Sequence, residues 1–242
     1  MTILALLIFT ITDSSALRKG DECFRAQDYA GAMTAYTSYA KTQEHNAGVY
    51  WRIARTAICS GDISDPDTQE VLYRKALEAA THSVRLDSLS SNAQCWYAIS
   101  LGYIALFEGS KTKVEYCRQI QSSLDAAIRL DPCNDVAYSV YGTFYRMLGN
   151  VNWIERQLAD LLLGGLPKGG FAEAEVMLKK AIALAPNVLR HRFELGMLYY
   201  ETERIQKGEE LFRLSLLIPP TLASDKERIT TMKQMLGQSA GK

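Results

Sequence analysis

The residues best able to do chemistry in this chain are three histidines and five cysteines, and their spacing fits no familiar site. His45, His82 and His191 are far apart, and none belongs to an HxxxH or HExxH pattern. The cysteines are equally scattered and form no CxxC pair with zinc-ligand spacing: Cys23, Cys59, Cys95, Cys117 and Cys133. We therefore predict no catalytic residue, metal site or cofactor, with surface or loop histidines and cysteines packed as small buried hydrophobes.

The glycine-rich run GGLPKGG at 164–170 is the one segment that resembles a phosphate cradle. A P-loop needs Gly-Lys-Ser/Thr opening a helix, whereas Lys168 is followed by Gly-Gly-Phe. No GxSxG or SxxK frame holds a serine nucleophile either. The run therefore predicts a helix stop and a hinge before Phe171, and the chain as a whole favours binding over catalysis.

The composition narrows the class of partner. In 242 residues, 27 Lys+Arg balance 27 Asp+Glu, so the net charge offers no broad attraction to nucleic acid or to an anionic membrane surface. Hydrophobic residues make up 48% of the chain, which argues against disorder. Only 6 Pro and 16 Gly are present, and such sparse turn signals favour helices over many short strands.

One spacing pattern recurs five times along the chain, in copies that end near positions 44, 88, 132, 186 and 220. A small residue follows ten positions after each of the first four ends, and Gly20 takes that role in the first copy: Ala54, Ala98, Gly142 and Gly196. Small residues at these places let two helices approach closely. The pattern is typical of tetratricopeptide helix-turn-helix units. It predicts an all-α, right-handed helical-repeat solenoid of about five helix pairs at 17–223, with a capping helix at 224–237.

Some of the repeat units are longer than the basic unit, and their additional residues lie between the two helices of the pair. Asp65-Pro66 and Ser110 each predict the start of a lengthened second helix. Asn152-x-x-Glu155 predicts a capping box and an added helix at 153–163, which Gly164-Gly165 should stop. Ser224-x-x-Glu227 predicts a second capping box, at the start of the terminal helix.

The first helix of each unit should line a concave groove. Reading its inward positions predicts these partner-binding residues: Trp51, Arg55, Ile99, Thr143, Arg146, Arg190, Phe193, Met197 and Tyr200. Aromatic and sulfur side chains mixed with three arginines suit a ligand of apolar and acidic character, such as an amphipathic peptide or a lipid with an acidic headgroup. The alternative is internal: the aromatics pack on the next helix and the arginines pair with nearby glutamates.

The first 16 residues allow two interpretations. Ile3 to Ile11 is an apolar run of signal-peptide length, too short to span a bilayer, and Ser14-Ser15-Ala16 resembles a cleavage site. No basic residue precedes the run. It is either an export or membrane-association segment or a leading helix that packs on the repeats.

From about Trp51 onward the chain resembles the regulator of microtubule dynamics family. The resemblance covers about four fifths of the chain and is carried by WRIARTA (51–57), CWYAISLGYIALFEGSKTKV (95–114), LDAAIRLDP (124–132), WIERQLADLLLGGLPKGGFAEA (153–174), ALAPN (183–187) and SDKERI (224–229). It implies a non-enzymatic helical-repeat protein that associates with microtubules and spindle poles, with some members contacting phospholipid at mitochondrial membranes. This sequence departs from the family by having almost nothing before the repeats, so we expect no membrane-targeting or motif-bearing extension.

We therefore expect a scaffold that binds a protein partner in its groove, with the microtubule or a spindle-associated protein implied by the resemblance. The implied location is cytoplasmic and cytoskeleton-associated. The alternative is a phospholipid-binding or lipid-transfer module at a membrane or in a bacterial envelope, exported to the periplasm or membrane-associated through residues 3–11. We expect neither a nucleic-acid partner nor a transmembrane span.

Overall fold

The computed structural model describes residues 15–237, and all regular secondary structure in that range is helical. The apolar run at 3–11 lies outside the described residues, so the predicted leader remains a prediction. The chain divides into two compact units, Met1–Phe107 and Glu108–Lys242.

The described part of the first unit contains five α-helices and a short 3₁₀ helix. They are α1 (15–25), α2 (Tyr29–Thr42), α3 (Ala47–Gly61), α4 (Pro66–Leu86), α5 (Ser91–Ile104) and the 3₁₀ helix Ala105–Phe107. Helix α3 is central and packs against α2, α4 and α5. Its buried residues include Ala54 and Ala57, both at 0% exposure, so α3 meets its neighbours through small side chains.

The described part of the second unit contains seven α-helices. They are α6 (Ser110–Leu130), α7 (Asp135–Gly149), α8 (Trp153–Leu163), α9 (Phe171–Leu184), α10 (Leu189–Glu201), α11 (Ile205–Ser215) and α12 (Asp225–Met235). Helix α7 packs against α6, α9 and α10, and α10 also packs against α9, α11 and α12. Leu189, Phe212 and Met232 bring α10, α11 and α12 into one apolar cluster.

The small residues of the repeat lie where helices cross, as predicted. A Cβ at Gly142 would collide with the Leu178 side chain, and one at Gly196 would collide with the Phe212 ring. Any larger residue would push these helices apart and lose close-packed contacts on both sides. The all-α, tetratricopeptide-like organisation is therefore confirmed.

Most of the predicted helix ends are confirmed because they depend on neighbouring residues alone. Asp65 Oδ1 accepts a hydrogen bond from Thr68 N at 3.1 Å, and Pro66 opens α4. Asn152 and Glu155 form the predicted reciprocal capping box at the start of α8. Gly164 ends that helix with φ +74, a left-handed conformation that glycine adopts without steric cost.

The capping box predicted at Ser224 is wrong. Ser224 has helical dihedrals and its side chain caps no backbone N–H of α12. The preceding turn is instead closed by Asp225, whose Oδ2 accepts from the backbone N–H groups of Thr221 and Leu222, each at 2.9 Å. Asp225 is 1% exposed, and Arg228 supplies it with a cation at 2.9 Å. An N-cap residue is normally extended, so the helical dihedrals of Ser224 take it out of that role, and its Oγ instead accepts from Arg228 Nη1 at 3.0 Å.

Two other expectations need correction. His191 was expected at the surface or in a loop, but it lies in α10 at 1% exposure, with Nε2 2.8 Å from Asp135 Oδ2 on α7. Its other ring nitrogen, Nδ1, has no hydrogen-bond partner among the described residues. Cys59 and Cys95 are buried as predicted, whereas Cys133 is exposed in the turn between α6 and α7.

Candidate protein-binding surfaces

The first candidate surface is a charged and aromatic cluster in the first unit, which we call the Arg55 cluster. It comprises Asp21 and Phe24 on α1, Tyr36 on α2, and Trp51, Arg52 and Arg55 on α3. Arg52 Nε donates to Asp21 Oδ1 at 2.9 Å, and Arg55 Nη2 lies 3.4 Å from the same oxygen. Two guanidinium groups thus share one carboxylate, which leaves the cluster with one positive charge in excess.

Aromatic rings fix both guanidinium groups in place. Arg55 Cζ lies 3.7 Å from the centre of the Phe24 ring, and Arg52 Cζ lies 4.3 Å from the centre of the Trp51 ring. The guanidinium plane is attracted to the negative face of an aromatic ring. Each arginine side chain keeps about a fifth of its surface exposed, at 22% for Arg52 and 20% for Arg55.

The Asp21 carboxylate remains ionised beside these arginines. Burial alone would raise its pKa, but hydrogen bonds from Tyr36 and Arg52 and the charges of Arg52 and Arg55 hold the pKa below its usual value. Tyr36 donates its phenol proton to Asp21 Oδ1 at 2.6 Å, and burial together with that carboxylate raises the pKa of Tyr36. The cluster therefore keeps its charges at neutral pH.

The second unit holds the reverse arrangement, which we call the Arg146 cluster: Arg146 on α7, Asn150 directly after α7, and Glu194 and Glu201 on α10. Arg146 Nη2 bonds Glu194 Oε2 at 3.0 Å, and Nη1 bonds Glu201. Asn150 Nδ2 adds a bond to Glu201 at 3.0 Å. The Arg146 and Glu194 side chains are only 15% and 11% exposed, so this pairing joins two helices rather than offering charge to a ligand.

Three predicted aromatic and sulfur residues pack against the apolar cluster that contains Phe212. Phe193 and Tyr200 both stack on Phe212 of α11, with ring centres 5.9 and 5.4 Å apart from it. Met197 packs against the same apolar cluster. These side chains are half-buried, so the internal alternative accounts for much of their surface while part stays accessible.

The remaining predicted residues are dispersed. Ile99 is buried on α5 at 4% exposure. Thr143 on α7 is half-buried and donates to the carbonyl of Ser139 at 3.1 Å, and Arg190 lies half-buried in the first turn of α10. Apart from these three, the predicted residues belong to the Arg55 cluster, the helix-joining Arg146 cluster or the group around Phe212. The binding role of each residue stays a prediction.

Sequence reasoning missed the acidic partners and four of the six residues of the Arg55 cluster. Glu194 and Glu201 lie seven positions apart and therefore on one face of α10, a spacing that could have been detected. Arg52 follows Trp51 directly but lies outside the inward positions of the repeat. Asp21 lies 31 positions before Arg52, and no local signal joins them.

Two negative findings for residues 15–237 concern metal-ion ligands and membrane-spanning helices. No three His, Cys, Asp or Glu side chains there gather closely enough to hold a metal ion. No helix in that range is long and apolar enough to cross a membrane.

Comparison with known protein families shows which family this chain belongs to. The sequence profile of the family described as "Regulator of microtubule dynamics protein 1-3" matches residues 16–240. The chain belongs to the regulator of microtubule dynamics family. It is 28% identical to the human regulator of microtubule dynamics protein 2 over 191 residues, which is 77% of this chain and 46% of the relative. It is 20% identical to the Caenorhabditis elegans regulator of microtubule dynamics protein 1, covering 89% of this chain and 96% of that one.

The vertebrate relatives that the chain matches are longer proteins, and it spans about half the length of several of them. Among solved structures, it is similar to a tetratricopeptide protein of Thermus thermophilus, with a TM-score of 0.69 at 20% identity, covering 93% of this chain and 98% of that one. It is also similar to yeast Tom70, with a TM-score of 0.53 at 18% identity, covering 93% of this chain and 40% of that one. These likenesses show the fold of this regulator of microtubule dynamics family member.

Proposed function

We propose that this family member acts by binding rather than by catalysis, as a helical-repeat scaffold for a protein partner with an acidic segment. The partner we propose is the microtubule or a spindle-associated protein, because relatives in the family are named as regulators of microtubule dynamics. On this proposal the protein is associated with the cytoskeleton.

The observation that carries the proposal is the charge balance of the Arg55 cluster. Arg52 and Arg55 together meet a single carboxylate, and both remain partly exposed beside the half-buried ring of Trp51. A second carboxylate from a partner would complete the pairing with charge-assisted hydrogen bonds, while an apolar side chain next to it could rest on Trp51. Because the whole chain is neutral, attraction to an acidic partner must come from such local placement.

Microtubule co-sedimentation tests the proposal with a charge-matched pair of variants. Arg52→Gln with Arg55→Gln removes two positive charges from the cluster, and we expect the dissociation constant to rise about tenfold. The control, Arg74→Gln with Arg85→Gln, removes two charges from exposed positions of α4 in the same unit and should bind as the wild type does. Circular dichroism and thermal melting establish that both variants are folded.

Three outcomes would contradict parts of the proposal. A folded wild-type protein that does not pellet with microtubules removes the tubulin partner. Equal binding by the cluster variant and the control removes the Arg55 cluster as the contact. Native mass spectrometry that finds phospholipid bound to the purified protein, together with no protein partner, would favour the lipid-binding alternative instead.

A further inference from the structure

Helix α8 presents its apolar residues away from the rest of its unit. Its large side chains are among the most exposed hydrophobics in the described chain: Trp153 at 73%, Ile154 at 63%, Leu158 at 51%, Leu161 at 80% and Leu162 at 70%. Ala159 is the residue of α8 that is buried. An ordinary surface helix has the opposite arrangement, with its apolar stripe toward the core. Such an outward apolar face marks a site of interaction.

Polar contacts hold α8 in this orientation. Arg118 on α6 donates to the carbonyls of Leu163 and Gly165, at 2.6 and 3.0 Å, just where α8 ends. Arg156 donates to the Leu148 carbonyl at 2.8 Å, which ties the inner face of α8 to the end of α7. The outward face is therefore a fixed part of the fold, and a partner that binds it need not order the helix first.

The exposed stripe carries no charged residue. Ile154, Leu158 and Leu161 follow helical spacing along one face, and Leu162 lies beside them. Glu155 is turned back to the helix start, where it accepts from Asn152 N at 3.2 Å. Helices that lie on membrane surfaces carry lysines and arginines on their polar face, whereas the single basic residue of α8, Arg156, is committed to backbone carbonyls. The absence of charge on the stripe therefore favours a partner that presents an uncharged apolar stripe of its own.

A second copy of this chain supplies such a stripe. In a twofold arrangement the same patch meets itself, so an uncharged apolar stripe is complementary to its own copy. The four side chains of the stripe expose on the order of 450 Å² per copy, which is within the range of the largest apolar patches on soluble proteins. That area is a little over half of the roughly 800 Å² per partner of a standard specific interface. It suffices for a modest, concentration-dependent dimer.

We propose that α8 is the contact surface of a symmetric dimer, in which the apolar stripe of one copy packs antiparallel on that of the other. This proposal concerns a face of the second unit and does not depend on the proposed partner of the Arg55 cluster. Leu158, near the middle of the stripe, then lies close to Leu158 of the second copy.

Sedimentation velocity tests the dimer between about 1 and 100 μM protein, a range that covers modest affinities. The wild type should shift from monomer to dimer, and Leu158→Glu with Leu161→Glu should weaken association at least tenfold. The matched control, Val71→Glu with Val176→Glu, adds the same charges at apolar positions that are 67% and 63% exposed and should dimerise as the wild type does. Circular dichroism checks that each variant is folded.

A mixing experiment separates a twofold contact from general stickiness. Leu158→Glu and Leu158→Lys should each be monomeric alone and should associate with one another when mixed, because opposite charges then meet at the symmetry axis. A wild type that stays monomeric at about 100 μM overturns the proposal. This holds even if the monomer binds phosphatidylcholine vesicles through α8, because the exposed stripe would then serve a membrane and not a second copy. A dimer that the Leu158→Glu, Leu161→Glu variant retains overturns it as well.

Discussion

The Arg55 and Arg146 clusters use the same side chains in opposite proportion. In the first unit two guanidinium groups share the Asp21 carboxylate, whereas in the second unit Glu194 and Glu201 share the Arg146 guanidinium. The first arrangement retains an unmatched positive charge and exposed arginine surface. By the same count the second has one negative charge in excess, but Arg146 and Glu194 are less exposed, at 15% and 11%, and they join two helices. An arginine at an inner helix position can therefore leave positive charge for a ligand or join two helices. The number of carboxylates on the neighbouring helix determines which of the two it does.

The largest expected effect comes from opening the Arg146 cluster. Arg146→Met would leave Glu194 and Glu201, at 11% and 23% side-chain exposure, without their cation. Uncompensated buried charge is costly, and we expect the free energy of unfolding to fall by about 3 kcal/mol, measured by urea denaturation.

A matched variant shows whether burial is the cause of that loss. Arg213→Met in the same unit breaks an ion pair with Glu209 whose arginine is 58% exposed, and it should cost under about 0.5 kcal/mol. Adding Glu194→Gln and Glu201→Gln to Arg146→Met should recover part of the stability. If Arg146→Met and Arg213→Met lower the free energy of unfolding by the same amount, the Arg146 cluster does not stabilise the packing of α7 on α10.

Removing an arginine from the Arg55 cluster should cost less stability. In Arg55→Met, Asp21 keeps Arg52 and the Tyr36 hydroxyl as partners, and methionine retains apolar contact with Phe24. We expect a loss of about 1 kcal/mol in urea denaturation, with a larger proportional loss of partner binding. A destabilisation as large as that of Arg146→Met would mean that both clusters are primarily structural.

The smallest effect is a pH dependence that belongs to the Arg55 cluster. The pKa of Asp21 is lowered in the folded protein, so its contribution to stability is present above its usual value of 3.8 and is lost as the pH falls through the lower folded value. The stability difference between the wild type and Asp21→Asn should therefore be full at pH 7 and shrink below pH 3.8. Urea denaturation from pH 7 to pH 3 measures it.

Glu175 provides the corresponding test in the second unit. Burial opposes its ionisation, but Lys179 and Arg204 lower the pKa of Glu175 to about 2. The contribution of Glu175 should then be lost between pH 4.5 and about 2, and Glu175→Gln should remove that part of the acid titration.

One outcome would contradict the charge state assigned to Asp21. It is a free energy of unfolding that differs between the wild type and Asp21→Asn by the same amount at pH 7 and at pH 3.

Local chemistry explains which expectations from the sequence hold. Asp65-Pro66 and the Asn152–Glu155 capping box act within four residues of themselves, so the sequence around them is sufficient. Gly142 and Gly196 were found because the repeat returns a small residue to each helix crossing. The expectation at Ser224 fails because this residue adopts helical dihedrals instead of the extended conformation of an N-cap residue, which the spacing of Ser224 and Glu227 does not reveal.

The sequence by itself determined the helices, their small-residue crossings and the family, since each is encoded in spacing that short-range geometry enforces. Only the tertiary structure decided the partners of the arginines and of His191, which lie 31 to 56 positions away. It also decided that α8 turns its apolar side outward, because Arg118 on α6 binds the end of that helix and the helix's own Arg156 binds the Leu148 carbonyl on α7. Helical periodicity shows that an apolar face exists; contacts from elsewhere in the fold determine which way it points.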